Sequence, residues 1–169
     1  MAEEKQKAWN FYQLWHRYPK ETNEEVYKKI GGNVEKNKSS FKENLGAVKL
    51  SYALNRAGDL IPHQSGNKTV SGYTSDDEKK TNESRKWFFY RKNDLETYVD
   101  NSGQSTEKVV VSQGENVRQK FKGKTGIVFF KNHTDDSTGT VTLWDGKEFV
   151  KPEHDKSNVA EKTTLYVLK

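Results

Sequence analysis

Residues 44–58 have the sequence NLGAVKLSYALNRAG, and this stretch decides the fold of the chain. Its apolar residues recur every three or four positions, which is typical of a helix buried on most of its surface. They form two rows: Phe41, Leu45, Val48 and Tyr52, and Ala47, Leu50, Leu54 and Ala57. Gly58 ends the predicted helix. The helix begins either after Ser40, which forms a capping-box pattern with Glu43, or after Asn44, which places Gly46 in its first turn.

Two further helices are predicted upstream of this one. Residues 9–18 (WNFYQLWHRY) carry aromatic side chains at helical spacing on two faces, and Pro19 ends that element. We expect these aromatic rings to pack in the core rather than to form a binding platform. Residues 22–30 (TNEEVYKKI) open with a capping-box pattern, and the following glycine pair is expected to end the helix.

Downstream, the pattern changes from helices to strands. Strands are predicted at residues 87–90, 108–111, 125–130, 139–144, 147–150 and 163–168, with Asp145-Gly146 as the clearest hairpin turn. Residues 94–99 predict a short helix, residues 113–124 a loop or irregular helix, and residues 72–86 a polar mobile loop. Helices followed by an antiparallel sheet indicate an α+β fold in one domain, residues 1–169.

The composition is that of a polar globular chain. Its apolar share is 31% and its mean hydropathy is −1.07, but 4 Trp, 8 Tyr and 8 Phe residues favour a folded domain over disorder. The net charge is +5 with the two signs interspersed, so a nucleic-acid binder is the least favoured class. We predict no signal peptide and no membrane span, because no apolar run is long enough for either.

The sequence contains no cysteine, which excludes disulfides and thiol chemistry. The histidines are scattered without metal-ligand spacing, so we predict no metal and no cofactor. His133 with its following acidic pair, and His63 with Ser65, lack the pattern of nucleophile, base and orienting group that catalysis needs. We expect each of them to be an ordinary surface residue.

Six short blocks, spread over most of the chain, carry a family signature. They are Tyr18-Pro19, IGGNV at 30–34, NLGA at 44–47, WFFYR at 87–91, KGKTGIV at 122–128 and LWDG at 143–146. In order and spacing they resemble the fourth class of type VI secretion system amidase effectors, which are NlpC/P60-like, papain-like cysteine enzymes. The resemblance implies N-terminal helices packed on an antiparallel β-sheet. It also implies hydrolysis of peptidoglycan stem peptides by a thiolate at a helix N-terminus, with a His as base.

Three positions depart from the family pattern. The family has its nucleophilic Cys where this chain has Gly46, its His where this chain has Thr140, and its orienting Asp near Lys151, with other acids two to four residues further on. The former cleft would comprise Asn44, Gly46, Ser51, Thr140 and Trp144. Loss of Cys and His together favours natural drift over a designed knockout. These departures predict a degenerate member that is not an enzyme.

We therefore expect a catalytically inactive antibacterial toxin that binds and blocks an essential envelope protein of a rival cell, for example outer-membrane assembly or wall-synthesis machinery. One alternative is a peptidoglycan-binding pseudoenzyme, in which Gly46 widens the cleft and Lys151 meets a stem carboxylate. The other is a residual peptidoglycan amidase with relocated catalytic residues.

The resemblance also implies partners and a route. We expect a cognate immunity protein, the secretion apparatus and, under the first alternative, peptidoglycan as partners. The chain would be made in the cytoplasm of the producer, leave without a signal peptide, and act in the periplasm or envelope of the target cell.

Overall fold

A computed structural model describes residues 8–41, 45–66, 68–74, 84–131, 141–151 and 160–168 of the chain. The helices are α1 (Phe11–Arg17), α2 (Asn23–Ile30), α3 (Gly32–Lys36), α4 (Gly46–Arg56), α5 (Lys92–Asn101) and α6 (Val117–Phe121), and a 3-10 turn covers Lys38–Phe41. The strands are β1 (Thr69–Gly72), β2 (Lys86–Phe89), β3 (Glu107–Ser112), β4 (Gly126–Lys131), β5 (Val141–Trp144) and β6 (Lys162–Val167).

The start of α2 follows its sequence signal closely. The side chains of Thr22 and Glu25 form the predicted capping box, each accepting a hydrogen bond from the other residue's backbone N–H. The helix ends at Ile30, but the glycine pair does not end helical structure as predicted. Gly31 turns the chain at a φ of 61°, which glycine adopts without strain, and Gly32 then begins α3.

The central helix α4 is buried along most of its length, as its apolar rows predict. Residues 47–55 are all buried, and Gly58 follows the helix with a φ of 89°. The helix begins at Gly46, with Leu45 in the N-cap position. The side chain of Leu45 makes no hydrogen bond to the first turn. Glu43 and Asn44, on which the two predicted starts depend, lie outside the described residues.

Two antiparallel sheets complete the fold. One pairs β1 with β2, and the other has the strand order β3-β6-β4-β5. The prediction of a strand at residues 147–150 is wrong, because that stretch makes only a single bridge, between Phe149 and Trp144. The ends of the predicted loop at 72–86 belong to β1 and β2, and residues 75–83 lie outside the described residues. The mobility of that loop and the single-domain organisation stay predictions.

The four-stranded sheet buries a separate apolar cluster on each face, because side chains alternate along a strand. The face that carries Ile127 and Leu143 packs against α1, α4 and α5, and we call this the helix face. The face that carries Val128, Phe130 and Trp144 packs against α6. The predicted α+β fold, with N-terminal helices on an antiparallel sheet, is confirmed. None of the described helices is long and apolar enough to cross a membrane.

Candidate functional site

The structure brings the beginning of α4 into direct contact with the beginning of β5. A Cβ placed on Gly46 would lie 2.7 Å from the backbone N and 2.8 Å from the backbone O of Val141, and 3.2 Å from its Cβ. The two backbone distances are too short for a carbon atom in a close-packed interior, so one element would have to shift. The volume that a side chain of residue 46 would occupy is therefore filled by β5, while the glycine itself is partly exposed.

The N-terminus of α4 has the polarity that the family chemistry needs. The first amide groups of a helix lack intrahelical acceptors, and their partial positive charge stabilises a thiolate or another anion. Here Leu45 occupies the cap position with its side chain buried beside Val48 and Tyr52. Gly46 supplies no side chain to the helix end, and the chain has no cysteine elsewhere to supply a thiolate.

Ser51 is a buried hydroxyl that joins α4 to β2. It has 0% exposure, its Oγ donates to the carbonyl of Ala47 at 2.7 Å, and it accepts a hydrogen bond from the backbone N–H of Phe89 at 2.9 Å. A hydroxyl held in this way is directed into the fold rather than towards a substrate. Its role in the structure is to position β2 against the helix.

Asn55, one turn further along α4, joins three segments and was not among the predicted site residues. Its Nδ2 donates to the carbonyl of Trp87 at 2.8 Å, and its Oδ1 accepts from the backbone N–H of Ile61 at 2.9 Å. The side chain thereby fixes the segment after α4 against the start of β2. Its position in the sequence could have indicated this role, because Asn55 is a polar residue that continues an otherwise apolar helical row.

The structure does not bring Trp144 together with Gly46. Its ring is fully buried on the α6 face of the sheet, where Nε1 donates to the carbonyl of Phe121 at 3.0 Å and the ring lies 4.9 Å from that of Phe149. Lys151 is partly buried at the end of a described segment. Asn44, Thr140 and the acids at 153 and 155 lie outside the described residues. The assignment of the former cleft and of the positions that match the family Cys, His and Asp stays a prediction.

A second polar cluster lies between α5 and β6. The Tyr166 hydroxyl donates to Glu96 Oε2 at 2.9 Å, and the amine of Lys92, whose side chain is 2% exposed, lies 3.9 Å from the other oxygen of Glu96. Burial raises the pKa of Tyr166, and the Glu96 carboxylate raises it further. The phenol therefore stays protonated at neutral pH and is not a nucleophile there.

The histidines that the structure describes are dispersed. The ring of His63 packs 4.5 Å from that of Trp87, while His16 is exposed on α1. No group of three His, Cys, Asp or Glu residues that could hold a metal ion occurs in the part of the chain that the structure describes.

Residues 42–166 match the family model described as type VI secretion system (T6SS), amidase effector protein 4, or Tae4. The prediction that the chain is not an enzyme is wrong on this finding, because the matched family is an amidase effector family and the related solved structures are of its effectors. No match was found among curated proteins.

Solved effector structures are similar to the chain over nearly its whole length. The effector Tae4 from Salmonella typhimurium, in complex with the immunity protein Tai4 from Enterobacter cloacae, is 28% identical over 95% of this chain and 99% of that chain, with a TM-score of 0.74. The effector Tae4 from Enterobacter cloacae is 28% identical over 94% of this chain and 96% of that chain, with a TM-score of 0.72. From the family match and this agreement in fold, we conclude that the chain belongs to the Tae4 family of T6SS amidase effectors.

Proposed function

We propose that this chain is an antibacterial effector that, after type VI delivery, hydrolyses an amide bond in the peptidoglycan stem peptides of a rival Gram-negative cell. The observation that carries the proposal is the match of residues 42–166 to an amidase effector family. The effector structures that cover 95% of this chain support it. Among the functions considered from the sequence, this is the amidase with relocated catalytic residues.

The reaction requires an attacking group other than a thiolate, because the chain has no cysteine. Neither Gly46 nor the buried Ser51 presents a side chain to a substrate from α4. Attack therefore needs an activated water or the side chain of a residue other than these two. In the net reaction the carbonyl carbon gains the OH of water, the C–N bond breaks, and the released nitrogen takes the remaining proton.

A cognate immunity protein is the expected partner in the producing cell. Related effectors have been solved in complex with the immunity protein Tai4. The net charge of +5 on this chain favours a partner with an acidic contact surface, because complementary charge speeds association and excludes wrong partners. Co-expression of such a protein with this chain should restore growth.

The site of action is the periplasm of the target cell, where peptidoglycan is accessible. The chain would be made in the cytoplasm of the producer and passed to the secretion apparatus. Binding to an envelope protein of the rival cell stays a prediction, and cross-linking in the target cell followed by a pull-down tests it.

Expression in a Gram-negative host, once in the cytoplasm and once with a periplasmic signal, tests the proposal. We expect growth to stop only in the periplasmic arm, with cleaved stem peptides in muropeptides from those cells. Purified protein should cleave sacculi equally well with and without iodoacetamide, because there is no thiol to alkylate. Toxicity with an unchanged muropeptide profile would contradict the hydrolytic proposal, and the cytoplasmic arm at matched expression is the control.

A further inference from the structure

We propose that Gly46 seals the first turn of α4 against the backbone of β5, so that no side chain fits between the two elements at this position. The contact rests on the short distances from a Cβ at position 46 to the N and O of Val141. These are main-chain atoms, so shortening the side chain of Val141 would not make room. The inference goes beyond the proposed function and does not depend on it.

The backbone conformation does not explain why glycine stands at this position. Gly46 is the first residue of α4 and does not have the positive φ that other glycines of the chain adopt. A glycine in a helix is about 1 kcal/mol less favourable than alanine. Glycine at position 46 therefore neither favours the helix nor is required by its backbone conformation. The close approach of β5 explains why a glycine stands there.

Both sides of the contact are held in place, so it cannot open easily. On one side, β5 is paired with β4, where Val141 is opposite Phe129, and the Val141 side chain is fully buried on the helix face. On the other side, Ser51 and Asn55 bond α4 to the backbone of β2. A larger residue at position 46 would have to break one of these sets of contacts to fit.

Sealing of this end also bears on where the chemistry takes place. The attacking group of the proposed amidase must then lie at another position, because β5 occupies the volume that a side chain at position 46 would need. This last step rests on the proposed function, whereas the sealing itself does not.

The variant Gly46→Cys tests the seal, because it introduces the only thiol in the chain. Gln119→Cys, on the exposed side of α6, is the matched control. We expect the Tm of Gly46→Cys to fall by several degrees while that of Gln119→Cys stays at the parent value. In the native state the thiol at 46 should react with a maleimide at least about 100-fold more slowly than the thiol at 119, since buried thiols are inert. In denaturant the two rates should be equal.

Equal native reaction rates together with a parent-like Tm would overturn the proposal. If Gly46→Cys does not fold, Gly46→Ala adds only the Cβ and keeps the test decisive. Its urea midpoint should fall below that of the parent, and adding Val141→Ala should not restore it. A parent-like midpoint for Gly46→Ala, or its restoration by Val141→Ala, would contradict a clash with the backbone. Neither readout involves activity, so a failure of the proposed function is distinguishable from a failure of the seal.

Discussion

The two halves of α4 are fixed in the fold by opposite means. In its second half, Ser51 and Asn55 place polar side chains against the backbone of β2 and of the segment after the helix. In its first turn, Gly46 makes contact with β5 by having no side chain at all. The comparison shows that one helix can be held both by hydrogen bonds, which need specific side-chain atoms, and by a close backbone contact, which needs the absence of a side chain. The two kinds of contact should respond differently to substitution.

Asn55→Ala, in the second half of α4, should lower the free energy of unfolding the most. The substitution leaves the Trp87 carbonyl and the Ile61 N–H without the partners that the side chain supplies. Each buried group left unsatisfied costs about 1–3 kcal/mol, so the free energy of unfolding in urea should fall by about 3 kcal/mol. Asn101→Ala, at the exposed end of α5, is the control. It should keep the free energy of unfolding at the parent value, and an equal loss in the two variants would show that the hydrogen bonds of Asn55 are unimportant.

Ser51→Ala should have the next largest effect. It removes one buried acceptor, and the Phe89 N–H then has no hydroxyl to donate to. We expect a loss of about 2 kcal/mol in the free energy of unfolding. Ser105→Ala is a suitable control, since that hydroxyl bonds to the Glu107 carbonyl near the surface. If Ser51→Ala had the same free energy of unfolding as the parent, the hydrogen bonds of Ser51 would not be what fixes the second half of α4.

Gly46→Ala, in the first turn of α4, should lower the free energy of unfolding by a smaller amount. Overpacking costs about 1–3 kcal/mol, and a clash with backbone atoms should cost about 2–3 kcal/mol within that range, while the better helix propensity of alanine returns about 1 kcal/mol. The net loss should therefore be about 1–2 kcal/mol. Positions 46 and 55 are nine residues apart, roughly 14 Å along the helix, so Gly46→Ala and Asn55→Ala should act additively. A coupling larger than about 0.5 kcal/mol would show that the two halves do not act independently.

The smallest effect is expected for Thr22→Ala at the start of α2, a helix that is capped by side chains rather than by packing. Its two capping hydrogen bonds are exposed and long, at 3.3 and 3.4 Å. The substitution removes the Thr22 hydroxyl that accepts from the Glu25 N–H and keeps the Thr22 N–H that donates to Glu25. The free energy of unfolding should therefore fall by about 0.5–1 kcal/mol, at the low end for a cap. The change can be followed as a shift in the urea midpoint. A loss as large as that of Gly46→Ala would mean that side-chain capping holds a helix start as firmly as packing does in this protein.

The helices and the main sheet could be predicted from the sequence because their signals are local. The spacing of Leu50 and Leu54 indicated a buried helix, and the capping box at Thr22 indicated the start of α2. In contrast, α3 begins with Gly32, a poor helix former, and β1 is only four residues long without alternating polarity. Neither element has a local pattern, since each is stabilised by contacts with the other.

The candidate site was less predictable because its contacts join residues far apart in the sequence. The motif around Gly46 does not indicate that Val141 of β5 lies against this residue. Trp144 was assigned to the former cleft from its motif alone. One position along a strand decides which face a side chain takes, and the pairing of β5 with β4 puts this ring on the α6 face.

The contact at Gly46 has a consequence for how this sequence can change over generations. Some glycine codons become cysteine codons through a single base change, and from such a codon a thiol at position 46 is one mutation away. The resulting chain would be penalised in folding before it could gain any chemistry, unless a second substitution had already moved β5 away. The order of mutations would then matter, because a single step to a thiol at this helix end carries a cost in stability that an earlier shift of β5 would remove.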